Sequence, residues 1–133
     1  MVRRIDPTQG RAAVDAWVRG ALHAPAAPLP NPVAAPLPNP ALATAVRFTL
    51  QRLAERAPGG SVEVRVPPFG AVQCIEGTSH RRGTPPAVIE TDAQTWLALA
   101  TGALAWADAV GSGSVRASGE RADLTGLLPL ETP

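Results

Sequence analysis

The chain has 133 residues, enough for one domain with a single core and too few for two. A hydrophobic share of 45%, a charged share of 17% and a formal net charge of +1 leave no electrostatic claim on nucleic acid or an anionic membrane surface, and the basic residues, all Arg, are scattered apart from Arg3-Arg4 and Arg81-Arg82. A single cysteine, Cys74, excludes an internal disulfide and a cysteine-based zinc site, and no apolar run approaches the roughly 18 residues of a membrane span, so the expected location is cytoplasmic.

Asp6-Pro7 predicts a first helix, with Asp6 as N-cap, Pro7 at the first helical position, Gln9 completing a capping-box-like start and Gly20 closing it. Its apolar face is Val14, Trp17, Val18 and Ala21. Residues 24–40 then break every periodicity, because seven of the fifteen prolines fall there, and the heptad AAPLPNP occurs twice between Ala26 and Pro40 with only Val33 between the copies. This stretch reads as an extended, duplicated linker. The second copy ends in Asn39-Pro40, again an N-cap and first-turn pair. It launches a helix in which Leu42, Ala45, Val46, Thr49, Leu50, Leu53 and Ala57 share a face. Phe48 lies on the other side, which gives this helix a second neighbour, with the N-terminal helix as the candidate.

Pro58-Gly59-Gly60 ends the helix, and SVEVRV alternates Val62, Val64 and Val66 against Glu63 and Arg65 as a half-buried strand does. FGAVQCIEG reads as the next strand, GTSHRRGTPP as a turn-rich loop and AVIET as a third strand. Thr91 with Gln94 predicts a capping box for the helix DAQTWLALAT, which Gly102 stops. A short helix over Leu104 to Val110, the turn GSG, a strand from Ser114 to Ser118 with Val115 and Ala117 inward, and a short apolar final helix complete the chain. Segregated runs of this kind indicate an α+β domain, with helices packed on an antiparallel or mixed sheet. The expected organisation is an N-terminal helix (1–23), the linker (24–40) and a domain over 41–133 that shares one core with that helix.

Catalytic patterns are thin. The two histidines, His23 and His80, sit beside the linker and in a loop, so no metal site or cofactor is expected. Cys74 is near His80 in sequence but mid-strand, where a buried inert thiol is the common outcome. The GSG at 111–113 precedes a strand instead of following one, so it is a turn and not a phosphate cradle. Glu76, Glu90 and Asp92 are explained by strand ends and a helix start, and the P-x-x-P from Pro25 to Pro28 has no flanking basic residue to orient it on a partner. His80-Arg81-Arg82 is the one concentrated positive patch. What remains is apolar: Trp17, Trp96 and Trp106 with the leucines around them, which composition alone assigns to a core.

Residues 91–130 run through an acidic helix start at Asp92, the apolar turns Trp96 to Ala100, Gly102, a short helix with Ala109, Gly113, the strand Val115 to Ala117 and Gly119. This pattern resembles the C-terminal half of the sterol-carrier-protein lipid-transfer family. Together with ATAVRFTLQRLAERAPGGSVEVRVPPFGAVQCIEG and RGTPPAVIET upstream, it is similar to the bacterial branch of that family over about residues 41–130. The resemblance implies roughly five strands covered by helices and an apolar tunnel that binds fatty acids, acyl-coenzyme A or sterol-like lipids without catalysis. The tunnel-lining candidates it gives are Val46, Leu50, Leu53, Trp96, Leu97, Trp106, Val110 and Leu127, with Arg81 and Arg82 for an anionic head group. The same region is also similar to the C-terminal domain of mycothiol-dependent maleylpyruvate isomerases. That relation implies an accessory or protein-interaction module with a closed core.

Overall fold

The computed structural model describes residues 4–20, 40–77, 87–119 and 122–130. Helix α1 runs over Pro7–Val18, with the Asp6 carboxylate accepting from the Gln9 amide at 3.2 Å and Pro7 in the first turn. The buried face of α1 is Gly10, Ala13, Val14 and Trp17, while Val18, predicted inward, is 39% exposed. The duplicated linker lies outside the described residues, except that its last residue opens α2 (Pro40–Arg56). Strand β1 (Val62–Val66) and strand β2 (Gly70–Cys74) form an antiparallel hairpin around the Pro67-Pro68 turn. Strand β3 (Ala87–Thr91) leads into α3 (Ala93–Thr101), then the six-residue α4 (Trp106–Gly111) and strand β4 (Val115–Ser118).

The sheet order is β2-β1-β3-β4, with β1 and β3 parallel and the outer pairs antiparallel, so the sheet is mixed. It has four strands among the described residues, where the resemblance implied about five. Alternation decides its two faces. Val62, Val64, Val66, Cys74, Ala87, Ile89 and Val115 point into the core, and Glu63, Arg65, Val88, Glu90, Arg116 and Ser118 form the other face. Ala117, expected inward, pairs with Ile89 on the core side but is exposed at the sheet's end.

Two local expectations shift. Asp92, not Thr91, caps α3: its carboxylate accepts from the Thr95 amide at 2.8 Å and the Thr95 hydroxyl at 2.9 Å. Thr91 stays in β3 and its hydroxyl donates to the Ser114 carbonyl at 2.8 Å, tying the end of β3 to β4. In place of a final helix, residues 124–127 form one turn closed by Leu127 N–H on the Leu124 carbonyl at 3.0 Å. Strand β2 ends where Ile75 takes a φ of 64°, rare for a β-branched residue. Ile75 is over-determined there, because its amide donates to the Ala57 carbonyl at 2.6 Å while its own carbonyl accepts from the Ser61 amide and hydroxyl at 3.0 and 2.6 Å. Gly59 lies flat on the following peptide, so close that a Cβ would fall onto its backbone atoms.

Helix α2 organises the rest, since it touches β2, α3 and α1. Phe48, fully buried, meets Gly10 of α1, which makes α1 the second neighbour that its position required. Trp17 Nε1 donates to Gln94 Oε1 of α3 at 2.8 Å, and Gln51 of α2 grips Ile5 through its amide at 2.9 Å and its carbonyl at 3.2 Å. The side chains of Ala13, Val14 and Trp17 thereby join the same core as α2, α3 and the sheet.

Candidate ligand site

Five of the eight candidate lining residues come together. Val46, Leu50 and Leu53 of α2 and Trp96 and Leu97 of α3 are each 0–1% exposed within one apolar cluster with the inner face of the sheet. A side chain bordering an empty channel wide enough for an acyl chain keeps surface that a water-sized sphere can touch. These five keep essentially none, so they are in contact with protein on all sides. At the centre Trp96 Nε1 donates to Thr49 Oγ1 at 2.8 Å, and the Thr49 hydroxyl in turn lies 2.8 Å from the Ala45 carbonyl and 2.9 Å from that of Val46. Among the described residues no buried side-chain polar atom lacks a partner.

The other three candidates lie at the margin of this layer. Trp106 is half-buried and Val110 is 42% exposed, both on α4, and Leu127 is half-buried on the C-terminal segment. Helix α4 is weakly held: Ala109 is its one buried residue, and Ala105 offers no side-chain cap. The C-terminal segment is better fastened, with Leu130 N–H on the Ala100 carbonyl at 2.8 Å and Arg56 Nη1 on the Pro129 carbonyl at 2.9 Å. Arg81, Arg82 and both histidines lie outside the described residues, so nothing is added about a head-group site there.

A shallow open groove of about 510 Å³ runs along β4, with Val88, Val110, Val115 and Ala117 on its walls and Glu90 and Arg116 at its polar side. The outer face of the sheet is polar. Glu63 is ion-paired with Arg65, and the two carboxylates Glu63 and Glu90 push the Arg65 guanidinium pKa upward. No three His, Cys, Asp or Glu side chains gather as metal ligands among the described residues, and no helix among them is long and apolar enough to cross a membrane.

The sequence pattern of the family described as bacterial SCP ortholog, a sterol-carrier-protein-like family, matches residues 38–130. The chain belongs to that family. No curated protein matches it. In this SCP-like protein the matched span begins two residues before α2 and ends with the C-terminal segment on α3, so it contains the whole sheet and all five buried candidates but not α1.

Cys74 closes the bottom of the inner face opposite Val62 and is fully buried. Burial pushes its thiol pKa up from 9.0 to about 11. Roughly one molecule in a thousand then carries the thiolate at pH 8, so alkylation by iodoacetamide is expected to wait on unfolding and to become fast only in denaturant. The folded thiol keeps its proton while the unfolded one loses it near pH 9, so this contribution to stability is complete below pH 9 and lost as pH rises from about 9 to about 11. Urea titrations of wild type and Cys74→Ala across that window check the sign: the wild type declines more steeply.

Proposed function

We propose that this SCP-like chain is a non-catalytic carrier of a small apolar or amphipathic ligand, a fatty acid, acyl-coenzyme A or sterol-like lipid, taken up between α2, α3 and the sheet. The observation that carries the reading is the apolar layer of Val46, Leu50, Leu53, Trp96 and Leu97, gathered inside the span that matches the family. Burying about ten methylenes at about 0.8 kcal/mol each supplies micromolar affinity with no polar contact. Because the layer is filled, uptake requires a moving element. Helix α4, with one buried residue and no side-chain cap, costs least to lift, and Trp106 and Val110 would then border the opening. The proton-retaining, buried Cys74 supports a binding role over a reaction.

One observation favours the second reading, a protein-interaction module with a closed core. The five central side chains are 0–1% exposed, as in an ordinary packed interior.

Native mass spectrometry with organic extraction, followed by titration with a fluorescent fatty acid, separates the two. A carrier co-purifies with lipid or binds the probe saturably at micromolar concentration, and Trp106→Ala weakens that binding about tenfold while the fold is kept. Protein that is empty and shows no saturable binding of fatty acid, sterol or acyl-coenzyme A overturns the carrier reading in favour of the closed module.

A further inference from the structure

The polar atoms of the interior share one property. The hydroxyl side chains buried among the described residues have each spent their hydrogen on a backbone carbonyl: Thr49 on those of Ala45 and Val46, Thr101 on Leu97, Thr91 on Ser114 and Ser61 on Ile75. A hydroxyl committed in this way turns only lone pairs towards its surroundings. The buried indoles are committed as well, Trp96 to Thr49 and Trp17 to Gln94. No charged side chain is buried among the described residues, and the Cys74 thiol, which keeps its proton, is a weak donor at the far end of the sheet. The described interior therefore offers acceptors, with neither a free strong donor nor a cation.

We propose that the ligand of this layer is a neutral hydroxy-lipid, whose hydroxyl replaces the indole N–H of Trp96 as the donor to Thr49 Oγ1. The proposal rests on the carrier reading and narrows its ligand class. Because the layer is filled, room for a ligand comes from displacing a side chain, and Trp96 is the largest of those fully buried among the described residues. Shifting its indole takes the donor away from Thr49. Thr49 itself stays, since its hydroxyl is pinned to the backbone of α2 in mid-helix. A lone pair is then left buried and unmet among Val46, Leu50, Leu53 and Leu97. A ligand hydroxyl meets it. An ether oxygen has no hydrogen to give, and a carboxylate lacks the hydrogen and also brings a charge that no described interior group neutralises. The chemistry of the layer thus ranks a long-chain alcohol above both its ether and the fatty-acid anion of equal length.

Displacement of a dansyl-labelled long-chain alcohol from the full chain by decanol, decyl methyl ether and decanoate tests the ranking, at about pH 8 where decanoate is ionised. On the wild type, decanol is expected to compete about tenfold more tightly than either of the others. Thr49→Ser keeps the acceptor and is expected to keep that preference, whereas Thr49→Val removes it and is expected to bring decanol and the ether to equal affinity. The wild-type series needs no variant, so it decides the matter even if Thr49→Val fails to fold. Equal competition by the three compounds on the wild type, or a decanol preference that persists in Thr49→Val, overturns the hydroxyl contact and leaves the carrier reading standing. A wild type that binds neither the labelled alcohol nor any competitor overturns both.

Discussion

Trp96→Ala is expected to remove a large share of the stability of the chain. Trp96 is the largest fully buried side chain among the described residues, and it stands between α2 and α3 with its indole N–H on the Thr49 hydroxyl at 2.8 Å. Truncation of a buried Trp costs about 3–5 kcal/mol through lost transfer energy and the cavity left behind. A domain of this size is stable by about 5–15 kcal/mol in all. Trp96→Phe reduces the volume term, because it keeps a six-membered aromatic ring in the layer, and it removes the donor, leaving a Thr49 lone pair buried and unmet for about 1–3 kcal/mol. Adding Thr49→Val removes the other partner and should return part of that loss. Urea unfolding followed by far-ultraviolet circular dichroism reads all three without relying on tryptophan emission. A loss below about 1 kcal/mol in Trp96→Ala would mean that the layer collapses readily around a missing indole. An interior that plastic would favour lipid uptake over the closed module.

The same layer shows where sequence reasoning stops. Periodicity along 42–57 and 93–100 selects the inward side chains, and Val46, Leu50, Leu53, Trp96 and Leu97 are all inward. Whether the space between them is empty or filled is a property of their summed volumes and of the sheet below, and no single segment encodes it. Trp106 and Val110 carry the same apolar pattern, yet the six-residue α4 buries only Ala109. The local starts and stops were legible because their chemistry is local: Asp6-Pro7 opens α1, Pro40 opens α2 and Gly102, at φ 87°, ends α3. Thr91 and Asp92 are both competent caps, and the choice between them came from outside the helix, from Ser114 just before β4, whose carbonyl holds the Thr91 hydroxyl. The parallel pairing of β1 with β3, and with it the row Arg65, Glu90, Arg116, is a non-local register that alternation within each strand leaves open.

Gly10→Ala is expected to detach α1 from the domain, against the direction that helix propensity gives. Alanine is the better helix former by about 1 kcal/mol, so on an isolated α1 the change would be stabilising. In the folded chain a Cβ at Gly10 would lie under 3.0 Å from three carbons of the Phe48 ring. That ring is fully buried and sits on the side of α2 that meets α1, so it has no free space to move into. Overpacking of this kind costs about 1–3 kcal/mol or more, which exceeds the gain in propensity. Because the helix can leave as a unit, the strain is relieved by undocking instead of by global unfolding. The contacts given up are those of Ala13, Val14 and Trp17, the Trp17 bond to Gln94 and the grip of Gln51 on Ile5. Hydrogen exchange should then report loss of protection over residues 7–18, with protection kept over 93–101 and in β1. The family match runs over residues 38–130 and omits α1, so the unit left behind is the one the family shares. Unchanged exchange over 7–18 would mean that Phe48 yields to the new methyl. Loss of protection everywhere would mean that α1 is an integral part of the core, and that residues 38–130 depend on it to fold.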